Sequence, residues 1–256
     1  MAASTSSQVV AAFRAQLRRP HTLRGDPEAQ ARLSAGMLPV RSEGMRAALA
    51  ARTHFIDTQV LDAIDLGIPQ IVILGAGYDD RALRFPSPGV RFFELDHPNT
   101  QQDKLRRLRQ MRVDISNLRL IPADFAREDA SDRLAEHGHD AVQPTLFVCE
   151  GLLVYLERSS IERLLASICR RADVDSRLVA SLAVHPEGLD SDSVIERVNA
   201  RRPNAKAEPW KTILPVAEYH DLFAHSGWTL IETIDPSVTD DRIPEGRTLL
   251  ISAVPE

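Results

Sequence analysis

Two glycines and three acids stand where they could hold a nucleoside. Gly75 and Gly77, with Ala76 between them, follow the apolar run Ile71-Val72-Ile73-Leu74. Two glycines ending a strand let another molecule approach the backbone closely, because neither carries a Cβ. Asp96 ends the next apolar run, Val90 to Leu95, which Arg91 and Glu94 interrupt. A carboxylate there offers two acceptor oxygens, enough for a ribose diol. Asp124 and Glu150 end the two apolar runs that come after. Asp124 can take an adenine amino group. Glu150 can pair with a cationic tail or order a water that does. Each acid also has a reading as a loop carboxylate or helix N-cap. Their recurrence at successive strand ends favours a ligand, since open α/β sheets bind ligands at that edge.

The elements that carry these residues follow from pattern. Four consecutive apolar residues before a glycine turn read as a strand buried on both faces of a parallel sheet. Strands are expected at 70–75, 91–95, 118–122, 145–149, 177–183, 228–234 and 247–254. Helices are expected at 98–111, 129–137, 159–171, 191–200 and 216–225. Ahead of the first strand come helical stretches at 9–18, 27–35 (Asp26 as N-cap, Pro27 at the first helical position) and 43–66. Repeated strand–helix units imply an α/β fold with a mostly parallel sheet. About twelve residues join the last two strands, with Pro236, Pro244 and Gly246 as turn signals, so the seventh strand should return antiparallel. The chain divides into an N-terminal helical cap, 1–67, and a core, 68–256, with a cap insertion at about 184–215.

Composition narrows the class. The 256 residues are 43% apolar with a net charge of -5, which suits a globular protein and argues against a nucleic-acid binder. The basic run 104–109 reads as a solvated helix face opposite Leu105, Leu108 and Met111. Cys149 and Cys169 are too few for a metal site or a disulfide framework and suit a reducing cytoplasm. No apolar run approaches a membrane span. The opening MAASTSSQ has neither the basic start nor the apolar core of a signal peptide and is expected to fray.

A dinucleotide fingerprint needs a third glycine, G-x-G-x-x-G. Asp80 holds that place and Asp79 precedes it. Two carboxylates there should repel a pyrophosphate, so a dehydrogenase using NAD is disfavoured. No phosphate-cradling G-x-x-x-x-G-K-[ST] occurs. S-adenosyl-L-methionine fits better, with its sulfonium, its amino-acid tail and no phosphate.

GAGYDDRALRF resembles the GAGxDTRxxR(L/F) signature of the leucine carboxyl methyltransferase-like enzymes. FFELDHPNTQQDK resembles that family's E-x-D-x-P segment and following lysine, and CEGLLVYL its E-G-(L/V)-L-x-Y-L segment. PADF before an acidic helix agrees, as does an arginine upstream of the first strand, here Arg52. The likeness covers about residues 41–183. Asp80 departs from it, standing where threonine is usual. The resemblance implies a class I methyltransferase, Rossmann-like fold. It implies cofactor contacts from Arg52, Gly75, Gly77, Asp96, Asp124 and Glu150, with Ala76, His97 and Phe125 in the same segments, and S-adenosyl-L-homocysteine as product. It also implies transfer to carboxyl groups: a protein C-terminal leucine in eukaryotic members, polyketide-type acids in some bacterial ones.

The sequence shows no obvious acid–base pair. A carboxylate acceptor needs none, being ionised at pH 7; a phenol would need a base such as His. The expected activity is therefore O-methylation of a small acid. The alternatives are a phenol or hydroxyl acceptor, a protein carboxyl acceptor, and a cofactor-binding subunit that transfers nothing. Arg201 and Arg202 either grip the acceptor carboxylate or are solvated helix-end charges. His185 either faces the pocket or is structural. Tyr155 either borders the methyl site or packs beneath the sheet edge. His97 should cover the cofactor's edge without acting as a base. Oligomeric state stays open, with a homodimer among the options.

Overall fold

The first strand, β1 (Gln70–Leu74), is buried at every residue, as a strand covered on both faces must be. The computed structural model, which describes residues 3–39, 43–236 and 247–256, places it in the middle of one sheet. Its partners are β2 (Arg91–Asp96), β3 (Leu118–Pro122), β4 (Thr145–Cys149), β5 (Arg177–Val184), β6 (Trp228–Ile234) and β7 (Arg247–Pro255). The order is β3-β2-β1-β4-β5-β7-β6. β7 runs antiparallel to both β5 and β6, and the other pairs are parallel. This is the class I methyltransferase arrangement. Pro244 and Gly246, read as turn signals before β7, lie outside the described residues.

Register decides where the site forms. Leu74 is level with Leu95 on one side and Cys149 on the other, and Asp96 is level with Pro122. Gly75, Asp96, Asp124 and Glu150 therefore emerge at one edge. The strand order reverses between β1 and β4, which opens a crevice there.

Alternate residues of each strand feed two cores. Val72, Leu74, Phe93 and Phe147 pack under α6 (Ala130–Glu136), α7 (Arg158–Cys169) and α9 (Val216–His225). Ile71, Ile73, Phe92 and Val148 pack under α3 (Glu43–Asp65) and α5 (Pro98–Met111), together with Ala11 of α1 (Thr5–Arg14) and Leu33 of α2 (Ala29–Leu33). Trp228 is fully buried, and its Nε1 donates to the Leu165 carbonyl at 3.0 Å. Among the described residues the remaining α-helices are α4 (Arg81–Arg84) and α8 (Ser191–Arg201). Among the described residues no helix is long and apolar enough to cross a membrane.

Three local expectations are corrected. α1 begins at Thr5, not at residue 9, because Ser4 caps it: Ser7 N donates to Ser4 Oγ at 3.1 Å. The segment expected to fray is thus helical from Thr5. α2 begins at Ala29, because Asp26 spends its carboxylate on a turn, accepting from Glu28 N at 2.9 Å. Lys104 is not on a solvated face. It is buried one turn from Leu108, paired with Glu94 and donating to the Asp79 carbonyl at 2.7 Å.

His139, which follows α6, sets an acid limit on stability. It is buried between the rings of Phe93 and Phe147, at 5.4 and 5.9 Å. Burial first, then the nearby Arg171 guanidinium, push its pKa down to about 4. The native state holds it neutral, while the unfolded chain protonates near pH 6.5. Stability from this group is complete above that value and is lost as pH falls towards 4. Relative to a His139→Leu variant, the parent should lose about 2 kcal/mol between pH 7 and pH 5. Urea unfolding of both at the two pH values measures it; parallel pH profiles would refute it.

Candidate active site

The turn after β1 needs glycine twice. Gly75 and Gly77 have φ of +66° and +54°, a region that residues with a Cβ enter at a cost. A Cβ on Gly75 would lie 2.8 Å from Leu152 Cδ1, and one on Gly77 2.8 Å from Ser7 Cβ. The turn is tied to β2 where Gly75 N and Ala76 N donate to the Leu95 carbonyl at 2.8 and 3.1 Å. Asp96 completes the tie. Its Oδ2 accepts from Gly77 N and its Oδ1 from His97 N, both at 2.6 Å. Burial raises its pKa, against the pull of these two N–H groups. Each oxygen keeps a further lone pair for a ribose hydroxyl.

This turn forms one wall of a cavity of about 450 Å³. Asp96, His97, Asp124 and Phe125 line one end, and Arg14, Arg52 and Glu150 line it near the turn. His97 caps α5, its Nδ1 accepting from Asn99 N at 3.3 Å. Asp124 Oδ1 accepts from Ala126 N at 3.1 Å. α1 and its cap contribute Ser4, Ser6, Ser7, Val10 and Arg14 to the lining as a roof, and Tyr155, Trp210 and Lys211 line it as well.

Beneath the cavity lies a buried cluster of ions. Glu150 accepts from Arg14 Nη2 at 2.7 Å, Arg81 Nη1 at 2.8 Å and Arg52 Nε at 3.0 Å. Burial alone would raise its pKa; the guanidinium groups of Arg14, Arg81 and Arg52 hold it well below the carboxylate range. Three cations already occupy Glu150, so it is not a free carboxylate. Arg81 is fully buried and also holds Asp57, at 2.8 Å, and Asp79. Asp80 pairs with Arg19 and Arg84, each at 2.7 Å. Burial opposes its ionisation, but those two cations bring its pKa down to about 2. The repulsion expected of Asp79 and Asp80 is thus neutralised in place. What disfavours a dinucleotide is the missing third glycine, since the Asp80 side chain is wholly buried there.

The acceptor candidates separate. Tyr155 lines the cavity. His185 is not among the lining residues: its ring bonds the Pro186 carbonyl and Ser191 Oγ, both at 2.8 Å. Arg201, exposed at the end of α8, does not line it either. Arg202 sits behind the wall, 4.8 Å from the Trp210 ring and 5.6 Å from the Tyr155 ring. Arg14, Trp210, Lys211 and Glu208 line the cavity without having carried a motif. A helical run at 9–18 was expected from the sequence, but not its start at Thr5 or its place on the cavity.

Residues 7–169 match the sequence profile of leucine carboxyl methyltransferase. The chain belongs to that family. A Streptomyces avermitilis protein provisionally named an S-adenosyl-L-methionine-dependent methyltransferase is 36% identical over 225 residues, 82% of this chain and 77% of that one. Among solved structures, a provisionally named methyltransferase from Thermobifida fusca aligns over 95% of this chain and 97% of its own, with a TM-score of 0.62 at 15% identity. A mitomycin 7-O-methyltransferase aligns with a TM-score of 0.51 at 14% identity; the chain spans 56% of its length. As a member of the leucine carboxyl methyltransferase family the protein is an S-adenosyl-L-methionine-dependent methyltransferase. The site fits that cofactor. Asp96 offers acceptors beside the glycine turn, and the Nε of buried Arg14 has no partner among the described residues.

Proposed function

We propose that the family's methyl transfer is directed here to a carboxylate of a small acid, giving its methyl ester. One observation carries this reading. The described lining residues include a cation, Lys211, whose backbone N donates to the carbonyl of Val154, the neighbour of the hydroxyl-bearing Tyr155, while the one imidazole among the lining residues is His97, next to Asp96 with Nδ1 engaged. A carboxylate near pKa 4 needs a counter-charge and no base; a phenol needs the base.

When bound, the cofactor supplies an electrophilic methyl group on a sulfonium. The chain's task is alignment, which lowers a displacement barrier by several kcal/mol. In this reading Gly75, Ala76, Gly77 and Asp96 seat the nucleoside. Asp124 and Phe125 receive its base, and His97 covers the edge. Arg14 and Arg52, oriented by Glu150, hold the α-carboxylate. Lys211 draws in the acceptor acid, which replaces its present partner, Glu157 Oε1 at 3.2 Å. Its position is set by its backbone N, which donates to the Val154 carbonyl at 2.7 Å. Trp210 and Tyr155 add aromatic surface to the lining, which suits a conjugated, polyketide-like acid.

A transfer assay on paired aromatic acids and phenols, with the methyl position determined, tests the reading; methyl ethers in place of esters would refute it. Lys211→Met should raise KM for the acid about fivefold, the factor that an exposed ion pair of about 1 kcal/mol supplies. Its affinity for the cofactor should not change.

A further inference from the structure

The roof of the cavity is fastened unequally at its two ends. The last turn of α1 is buried at Ala11, Ala12, Phe13 and Arg14, and Arg14 is ion-paired to Asp79 and Glu150. The first turn is half-exposed and consists of Thr5, Ser6 and Ser7, with Val9 and Val10 after it, all poor helix formers. It has no acid of its own. Ser4 satisfies Ser7 N, which leaves the N–H groups of Thr5 and Ser6. Both donate to one carboxylate, Glu208, at 2.7 and 2.9 Å, supplied from 203 and 202 residues later in the chain. An anion at this point also faces the positive end of the helix dipole.

Glu208 is itself held in place. Its N–H donates to the Asn204 carbonyl at 2.9 Å, and its carbonyl accepts from Arg202 Nη1 at 2.9 Å. Of the two residues that this carboxylate pins, Ser6 lines the cavity, and Ser7, next along the helix, lines it too and lies against Gly77 beside Asp96. We infer that Glu208 is a positioning residue: it clasps the first half of α1 closed over the ribose end of the site. Release of the clasp, with α1 pivoting on its buried last turn, is the step that lets the nucleoside leave. This follows from the methyl-donor site alone and does not depend on the acceptor.

Two variants separate a clasp from a merely structural helix. Glu208→Ala removes the acceptor. Thr5→Pro deletes one clasp hydrogen bond yet favours the helix, since proline suits the first helical position and Ser4, at ψ 123°, already has the backbone that precedes proline. The measurements are amide hydrogen exchange of residues 6–10 in the cofactor-free protein and the dissociation rate of radiolabelled S-adenosyl-L-homocysteine chased with unlabelled compound. In Glu208→Ala both should speed up by about tenfold, from the loss of charge-assisted bonds to a helix end. In Thr5→Pro both should also speed up, although the helix propensity has risen. Dissociation that is unchanged in Glu208→Ala, or slowed in Thr5→Pro, would overturn the clasp.

Discussion

Arg81→Met is expected to cost about 3–5 kcal/mol of stability, because one change leaves several buried carboxylates short of a cation. Arg81 is fully buried and bonds Asp57, Asp79 and Glu150 at once. Burial alone would lower its pKa, yet those acids raise it well above the ordinary guanidinium value. Removing it leaves Asp57 to Arg19, Asp79 to Arg14, and Glu150 to Arg14 and Arg52. Lysine should not rescue it, because a point charge cannot reproduce a planar fork that serves three partners. A typical domain holds only about 5–15 kcal/mol in reserve, so the variant loses a large share of it. Urea unfolding with the cofactor absent measures this directly. A cost below about 1 kcal/mol would mean that the remaining arginines absorb the loss.

Asp96→Ala is expected to weaken cofactor binding by about ten- to a hundredfold, given about 1.5–3 kcal/mol per charged hydrogen bond. The carboxylate has two duties. It fixes the glycine turn through Gly77 N and the start of α5 through His97 N, and in the proposed reading its remaining lone pairs take the ribose hydroxyls. Asp96→Asn separates them, since the amide keeps one acceptor for the turn and loses the charge. Calorimetric titration with S-adenosyl-L-homocysteine, alongside unfolding curves without it, distinguishes lost binding from lost structure. Unchanged affinity in Asp96→Ala would remove Asp96 from the ribose.

Both effects concern residues whose place was legible in the sequence to different degrees. Asp96 was legible in its place at the strand edge. It ends a run of buried apolar residues, and parallel register carries every such end to one edge. Arg81 was legible only as part of a motif; its three partners were not. Asp79 and Asp80 were read as free charges facing a ligand. Each is instead paired with arginines, Arg14 and Arg19 among them, that lie 65 and 61 residues earlier in the chain. The basic run at 104–109 misled in the same way. Helical spacing placed Lys104 on the polar face, but Glu94 on the neighbouring strand draws its ammonium inward, and burial still pushes the Glu94 carboxyl up to about 7.

By itself the sequence determined the sheet, its antiparallel last strand, the glycine turn and the edge where the acids gather. Those features rest on short-range rules: consecutive apolar residues, a strand period of two, and φ values open to glycine. The tertiary structure alone decided which arginines neutralise which acids, that α1 roofs the cavity, and that Tyr155, Trp210 and Lys211 face it while His185 and Arg201 do not. Those features rest on charges and surfaces that meet across long separations. Arg14 and Glu150 illustrate the difference: no periodicity links them, and folding leaves their side chains 2.7 Å apart.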